Sequence, residues 1–188
     1  MKYNIEFIRL VAVILITFTH TRNDFTEGFS YFFIEQLPQY GTVILSIISG
    51  YLYWKVSRTK TSLFLKKVKT LLVPYLIANL VVLLPVVFIY YIFDYQFLNR
   101  LVFDSTLFTE GLLSLNSPPI NPPTYFIRDI FVVFVLVELI FRRNWYMLLI
   151  LIPLFYFGKL MLRFDILWLF IFGAFYAKYE VDAVKKYS

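Results

Sequence analysis

Residues 5–21 read IEFIRLVAVILITFTHT, an apolar run with one arginine, Arg9, near its start and one histidine, His20, near its end. On an α-helix the step from Arg9 to His20 rises roughly 16 Å, about half the apolar thickness of a bilayer. It also turns the helix by roughly 1,100°, so the two side chains share nearly one face. Ionisable groups in such a helix are costly and ordinarily face a protein interior or a wet cavity. The stretch therefore predicts a membrane helix that forms one wall of a candidate active site.

The rest of the chain has the composition to match. Its 188 residues are 60% hydrophobic and 16% charged, against about 45–50% and about 25% in ordinary soluble domains. The expected fold class is all-α, a polytopic membrane bundle of about six transmembrane helices. The recurrent alternating strands of a β-barrel are not seen. With no cysteine and a single histidine, disulfides, thiolate catalysis and Cys-ligated metals are excluded and a metal centre is not expected. The net charge of +6 does not point to nucleic acid. Its lysines and arginines flank the apolar runs, as the positive-inside rule requires of cytoplasmic loops.

Six spans are expected: Ile5–Thr21, Gln39–Trp54, Leu71–Phe93, Tyr125–Phe141, Tyr146–Leu162 and Phe164–Tyr179. With both termini cytoplasmic, the inner loops collect Lys2, the Lys55–Lys69 cluster, Arg142, Arg143 and the C-terminal lysines. Outside fall only Arg22, Arg100, Lys159 and Arg163. Arg9 within the first span, with no small-residue cleavage site after it, argues against a removable signal peptide. No internal repeat, phosphate loop or soluble domain interrupts residues 1–188, which read as a single transmembrane domain.

Each polar element has a structural reading beside a functional one. The loop after His20 carries Phe25, Phe29, Tyr31, Phe32 and Phe33, either interface anchors or a stacking surface for a sugar. Ser49-Gly50 permits close helix packing or a local break that exposes Ser49. Lys66, Lys67 and Lys69 either fix topology or pair with phosphates of a cytosolic donor. Pro74 and Pro85 predict kinks. The segment YQFLNRLVFDSTLFTEGLLSLN, residues 95–116, is expected as a helix lying on the outer surface, followed by a stiff SPPINPP tail. Arg128 and Asp129, adjacent at the outer end of the fourth span, either snorkel to the interface or face the same cavity as His20. Glu138 is expected to pair with Arg142, four residues on.

In combination these segments resemble the acyltransferase 3 family of membrane-bound acyltransferases. Arg9 and His20 look like its R-x10-H signature, and Ser49-Gly50-Tyr51 like the motif that ends its second helix. KKVKTLLVPYLIAN, Lys66 to Asn79, is similar to its basic loop and Pro-Tyr helix. PPTYFIRDIFVVF and LFIFGAFYA resemble its later segments. Glu6, Lys67 and Tyr125 stand where the family often has Asp, Arg and Trp; Lys67 keeps the charge but not the planar fork of arginine. Family members usually carry more helices, so the chain resembles the N-terminal portion of the usual domain.

The resemblance implies transfer of an acyl group, commonly acetyl, from a coenzyme A thioester to a hydroxyl of a cell-surface or exported carbohydrate. It places the protein in the cell (inner) membrane. His20 is then either a general base or a transient acyl carrier. Arg9 and Arg128 would stabilise phosphate or a developing oxyanion, with Asp129 beside Arg128. Lys67 would hold donor phosphates, and Ser49 would line a helix break. The expected partners are acyl-CoA as donor substrate, a carbohydrate acceptor and the bilayer. A second copy of the chain or a complementing C-terminal half could join them. No bound cofactor and no nucleic acid are expected. A non-catalytic remnant or subunit is the alternative. A transporter fits less well, because no inverted repeat or paired broken helices are visible.

Overall fold

The computed structural model describes residues 2–20, 25–60, 63–96, 98, 101–141, 161 and 163–187. All regular structure among them is helical, in six helices: α1 (Lys2–Phe18), α2 (28–57), α3 (Leu63–Phe93), α4 (Thr109–Leu113), α5 (Tyr125–Phe141) and α6 (Asp165–Tyr187). Five of the six expected spans fall on helices; the other, Tyr146–Leu162, lies almost wholly outside the described residues. Among the described residues α3 alone is both long and apolar enough to cross a bilayer. The 17 residues each of α1 and α5 span roughly 26 Å of helix, short of the ~30 Å of a hydrocarbon core.

The chain forms two compact units. Met1–Thr61 and Phe164–Ser188 make the first, Ser62–Arg163 the second.

In the first unit, small residues decide where the helices meet. Buried Ala12 on α1 lies against Gly41 on α2, where an added methyl would overlap the Ala12 carbonyl and Ile16. On α2 and α6 the pair is Gly50 and Gly173. A methyl on Gly50 would overlap the Phe170 carbonyl, and one on Gly173 the Ile47 carbonyl. Ser49-Gly50 therefore does what small residues do in membrane helices: it lets two backbones touch. Below this crossing Tyr53, fully buried, packs on the Phe170 ring at 5.7 Å. Phe7, Leu10, Val13, Ile14 and Phe18 of α1 stay exposed. That apolar face suits lipid better than water.

The second unit is built on α3. The helix starts at Leu63, so Lys66, Lys67 and Lys69 ride on its first turns and not in a loop before it. Its winding widens at Val68–Leu72, just before Pro74, whose missing N–H leaves the usual ladder one donor short. Asp94, in the left-handed region at φ 50°, ends it.

The expected surface helix over residues 95–116 does not form. The described part of that segment folds back on α3, with Leu101, Leu107 and Ile120 in one core with Leu83 and Val86. Phe103 stacks on Tyr90 at 3.6 Å. Two carboxylates hold the irregular backbone. Asp104 accepts from the Thr106 N–H and hydroxyl, and Glu110 from Asn116 and Ser117. Burying apolar side chains on a neighbouring helix outweighs local helix propensity here. What remains helical is one wide turn, α4.

Candidate functional site

In the first unit the candidates are Arg9, His20 and Ser49. Arg9 lies on α1 with its guanidinium turned back toward Glu6, Nη1 at 3.3 Å from Oε2, both side chains about half exposed. His20 lies in the turn that follows α1. Its N–H donates to the Thr17 carbonyl at 3.2 Å, and its side chain is exposed. The α-helix runs unbroken from Arg9 to Phe18 and ends before His20. Thr19 donates to the Leu15 and Ile16 carbonyls and His20 to Thr17, three residues back, the tighter bonding usual at a helix end. Ser49 is half-buried in α2, its carbonyl accepting from the Tyr53 N–H.

At the far end of α2 a polar cluster ties it to α6. The Tyr51 hydroxyl donates to Glu180 Oε2 at 2.9 Å, and Lys55 Nζ reaches the same oxygen at 2.9 Å. The Tyr51 hydroxyl, then Glu180, raise the Lys55 pKa above its ordinary value. Lys55, then Tyr51, hold the Glu180 carboxyl below the usual range.

The second unit holds Lys67, Arg128 and Asp129. Lys67 is half-buried, its Nζ 3.7 Å above the centre of the Phe134 ring in a small cleft that Glu138 also lines. Lys66 and Lys69, three apart and so on a common face, are exposed instead. The expected partner of Glu138, Arg142, lies outside the described residues.

Arg128 and Asp129 are not interface anchors. Their side chains are only 5% and 0% exposed, and Arg128 Nε points at Asp129 Oδ1 across 3.4 Å. The snorkelling alternative fails because the refolded segment 101–120 covers this end of α5. Ser114, in the left-handed region at φ 54°, turns its carbonyl to accept from Arg128 Nη1 at 2.6 Å. Asp129 Oδ2 accepts the Arg163 N–H at 3.0 Å. Arg128 Nη2 is buried and has no hydrogen-bond partner among the described residues.

Around this pair lie residues that were not among the expected site residues. The Tyr75 hydroxyl, buried, stands 3.4 Å from Ser114 Oγ, which itself donates to the Glu110 carbonyl. One turn on, Asn79 donates to the Tyr75 carbonyl and to Thr124 Oγ1, and accepts the Asn121 N–H. Asn79 is thereby fully engaged and pins the proline-rich approach of α5 to α3. A buried amide in an otherwise apolar helix was a signal the sequence offered. Ser114 offered none.

Comparison with known families places the chain. The model of the acyltransferase 3 family, an acyltransferase domain, matches residues 2–188. The chain belongs to the acyltransferase 3 family. Family membership covers both units and implies acyl transfer from a donor to an acceptor. No curated protein and no solved structure matches the chain.

Proposed function

We propose that this family member is a membrane-bound acyltransferase of the cell (inner) membrane, one domain of six transmembrane helices with both termini cytoplasmic. It moves an acyl group, commonly acetyl, from a coenzyme A thioester to a hydroxyl of a surface or exported carbohydrate. The observation that supports this best is α1 with the turn after it: in a chain of the acyltransferase family, Arg9 rides on the helix and an exposed His20 follows its end.

The chemistry asks for three things. The acceptor oxygen must lose its proton as it attacks the thioester carbonyl carbon, and the His20 imidazole takes that proton. The carbonyl oxygen gains negative charge as the new C–O bond forms and loses it when the C–S bond breaks and the thiolate leaves. Fixed donors near that oxygen lower the barrier. The phosphates of the donor need cations. The exposed Lys66 and Lys69 supply them more readily than Lys67, whose ammonium faces the Phe134 ring. Ser49 stands next in sequence to Gly50, which makes the crossing of α2 and α6.

Labelled acetyl-CoA supplied to membranes that contain the chain tests the reading. His20-dependent transfer of label to glycan is the expected result, with His20→Ala inserted in the membrane but silent. Full activity of His20→Ala would remove His20 from the chemistry. The open flank of α1 favours a second reading, a subunit whose site a separate C-terminal half completes. Transfer that appears only when such a half is added would select it.

A further inference from the structure

We infer that Arg128, Tyr75 and Ser114 form a buried subsite for one uncharged carbonyl oxygen, that of the acyl group on the donor, and not for a phosphate. The inference rests on the acyl-transfer reading above and assigns Tyr75 and Ser114 as positioning residues within it.

Three observations carry it. First, charge is already balanced. Arg128 stands against Asp129, both buried, so the pair is neutral as a unit. A phosphate would bring one or two further negative charges beside the buried Asp129 carboxylate, which is unfavourable. A carbonyl oxygen brings none. Second, the guanidinium is held on two sides. Nε meets Asp129 and Nη1 donates to the Ser114 carbonyl, which leaves Nη2 buried and without a hydrogen-bond partner among the described residues. A buried donor left unmatched is destabilising, and one oxygen with a lone pair cures the defect. Third, the hold on Arg128 is itself strained into place. Ser114 takes φ 54° and ψ 52° at the end of α4, a conformation that non-glycine residues adopt seldom. It is fixed there by its own N–H to the Thr109 carbonyl and its hydroxyl to the Glu110 carbonyl. The Tyr75 hydroxyl donates across 3.4 Å to Ser114 Oγ and so braces that turn from α3. As the acyl carbon becomes tetrahedral its oxygen turns anionic, and a charged donor then gains more than a neutral one.

A paired-ligand measurement tests this without relying on turnover. Two donor analogues are titrated against the full chain in detergent. One is a ketone in which a methylene replaces the thioester sulfur, and the other is S-ethyl-CoA, which keeps the sulfur but has no carbonyl. The wild-type chain should bind the ketone about tenfold more tightly or better, the factor expected of one charge-assisted hydrogen bond. In Arg128→Lys that preference should vanish while the affinity for S-ethyl-CoA stays within about threefold, because no phosphate is held there. Tyr75→Phe, which keeps the ring in the core, should lose part of the preference. Equal binding of both analogues by the wild type overturns the subsite and leaves the proposed function standing. So does an Arg128→Lys variant that loses affinity for both analogues equally, since it would mark Arg128 as a phosphate ligand or a purely structural group. Binding of neither analogue by the wild type overturns the acyl-CoA reading and this inference with it.

Discussion

Arg9 and Arg128 are the same residue in two opposite settings. Each sits on a 17-residue apolar helix with a carboxylate near it in sequence, Glu6 for one and Asp129 for the other. The Arg9 pair is about half exposed, whereas the Arg128 pair is sealed beneath residues that arrive from 14 positions earlier in the chain. An open pair can be lost with little effect on folding, because solvent or lipid headgroups replace it. A sealed one is part of the fold whatever else it does. The contrast separates the two candidate regions by how their residues can be tested: Arg9 and His20 through activity alone, Arg128 through stability and ligand binding together.

The largest effect should come from breaking the sealed pair. Arg128→Ala takes the guanidinium away from the fully buried Asp129 carboxylate. Removing one partner of a buried pair typically destabilises by about 3–5 kcal/mol. Unfolding of the variant in detergent should therefore begin well below the wild type. The double variant Arg128→Met with Asp129→Leu should recover most of the loss, because apolar replacements of a buried pair are often neutral. If the double variant is as unstable as the single one, the pair contributes something other than matched charge.

How legible these two regions were in the sequence follows the same divide. The Arg9–His20 helix, the bounds of α5 after its prolines and the Gly50 crossing all follow from local pattern: an apolar run, a breaker, a small residue. The Arg128 pocket does not, because it is made by chain reversal. Residues 95–116 have an apolar rhythm that suits a surface helix as well as a lid folded onto α3. The choice was made by Leu83 and Val86, some twenty residues earlier, which offered Leu101, Leu107 and Ile120 a place to bury. Ser114 acquires its role only after that reversal, and Tyr75 shows in the sequence only as part of a Pro-Tyr helix until it does. Wide turns such as Val68–Leu72 are similarly silent, although Pro74 hinted at this one.

Arg9→Met sharpens the comparison from the other side. Losing an exposed i,i+3 pair should change stability by less than about 1 kcal/mol, yet acyl transfer should fall sharply if Arg9 serves the reaction. The two readouts, unfolding midpoint and labelled-acetyl transfer, ought to part company in this variant. If stability falls as far as in Arg128→Ala, the flank of α1 is covered in the membrane, and the open-versus-sealed distinction breaks down.

The smallest effect is expected where α2 and α6 are latched by Tyr51, Lys55 and Glu180. This cluster is partly exposed like Arg9 but joins two helices as the Arg128 network does, so it tests which property matters. The Glu180 carboxyl is held below its ordinary 4.5, first by Lys55 and then by Tyr51. Its contribution is therefore present above 4.5 and lost as pH falls through the lowered value. Lys55 is raised above 10.5, chiefly by the Tyr51 hydroxyl and next by Glu180. Its contribution is full below 10.5 and is lost as pH rises through the raised value. The latch should thus act across the neutral range and fade at both extremes. Glu180→Gln should lower the unfolding midpoint slightly at neutral pH, with the difference from wild type shrinking in acid, where the native carboxyl is protonated too. A difference that persists undiminished in acid would mean that Glu180 holds the helices by shape and hydrogen bonding. Helix connection, not exposure, would then decide what a polar group contributes in this fold.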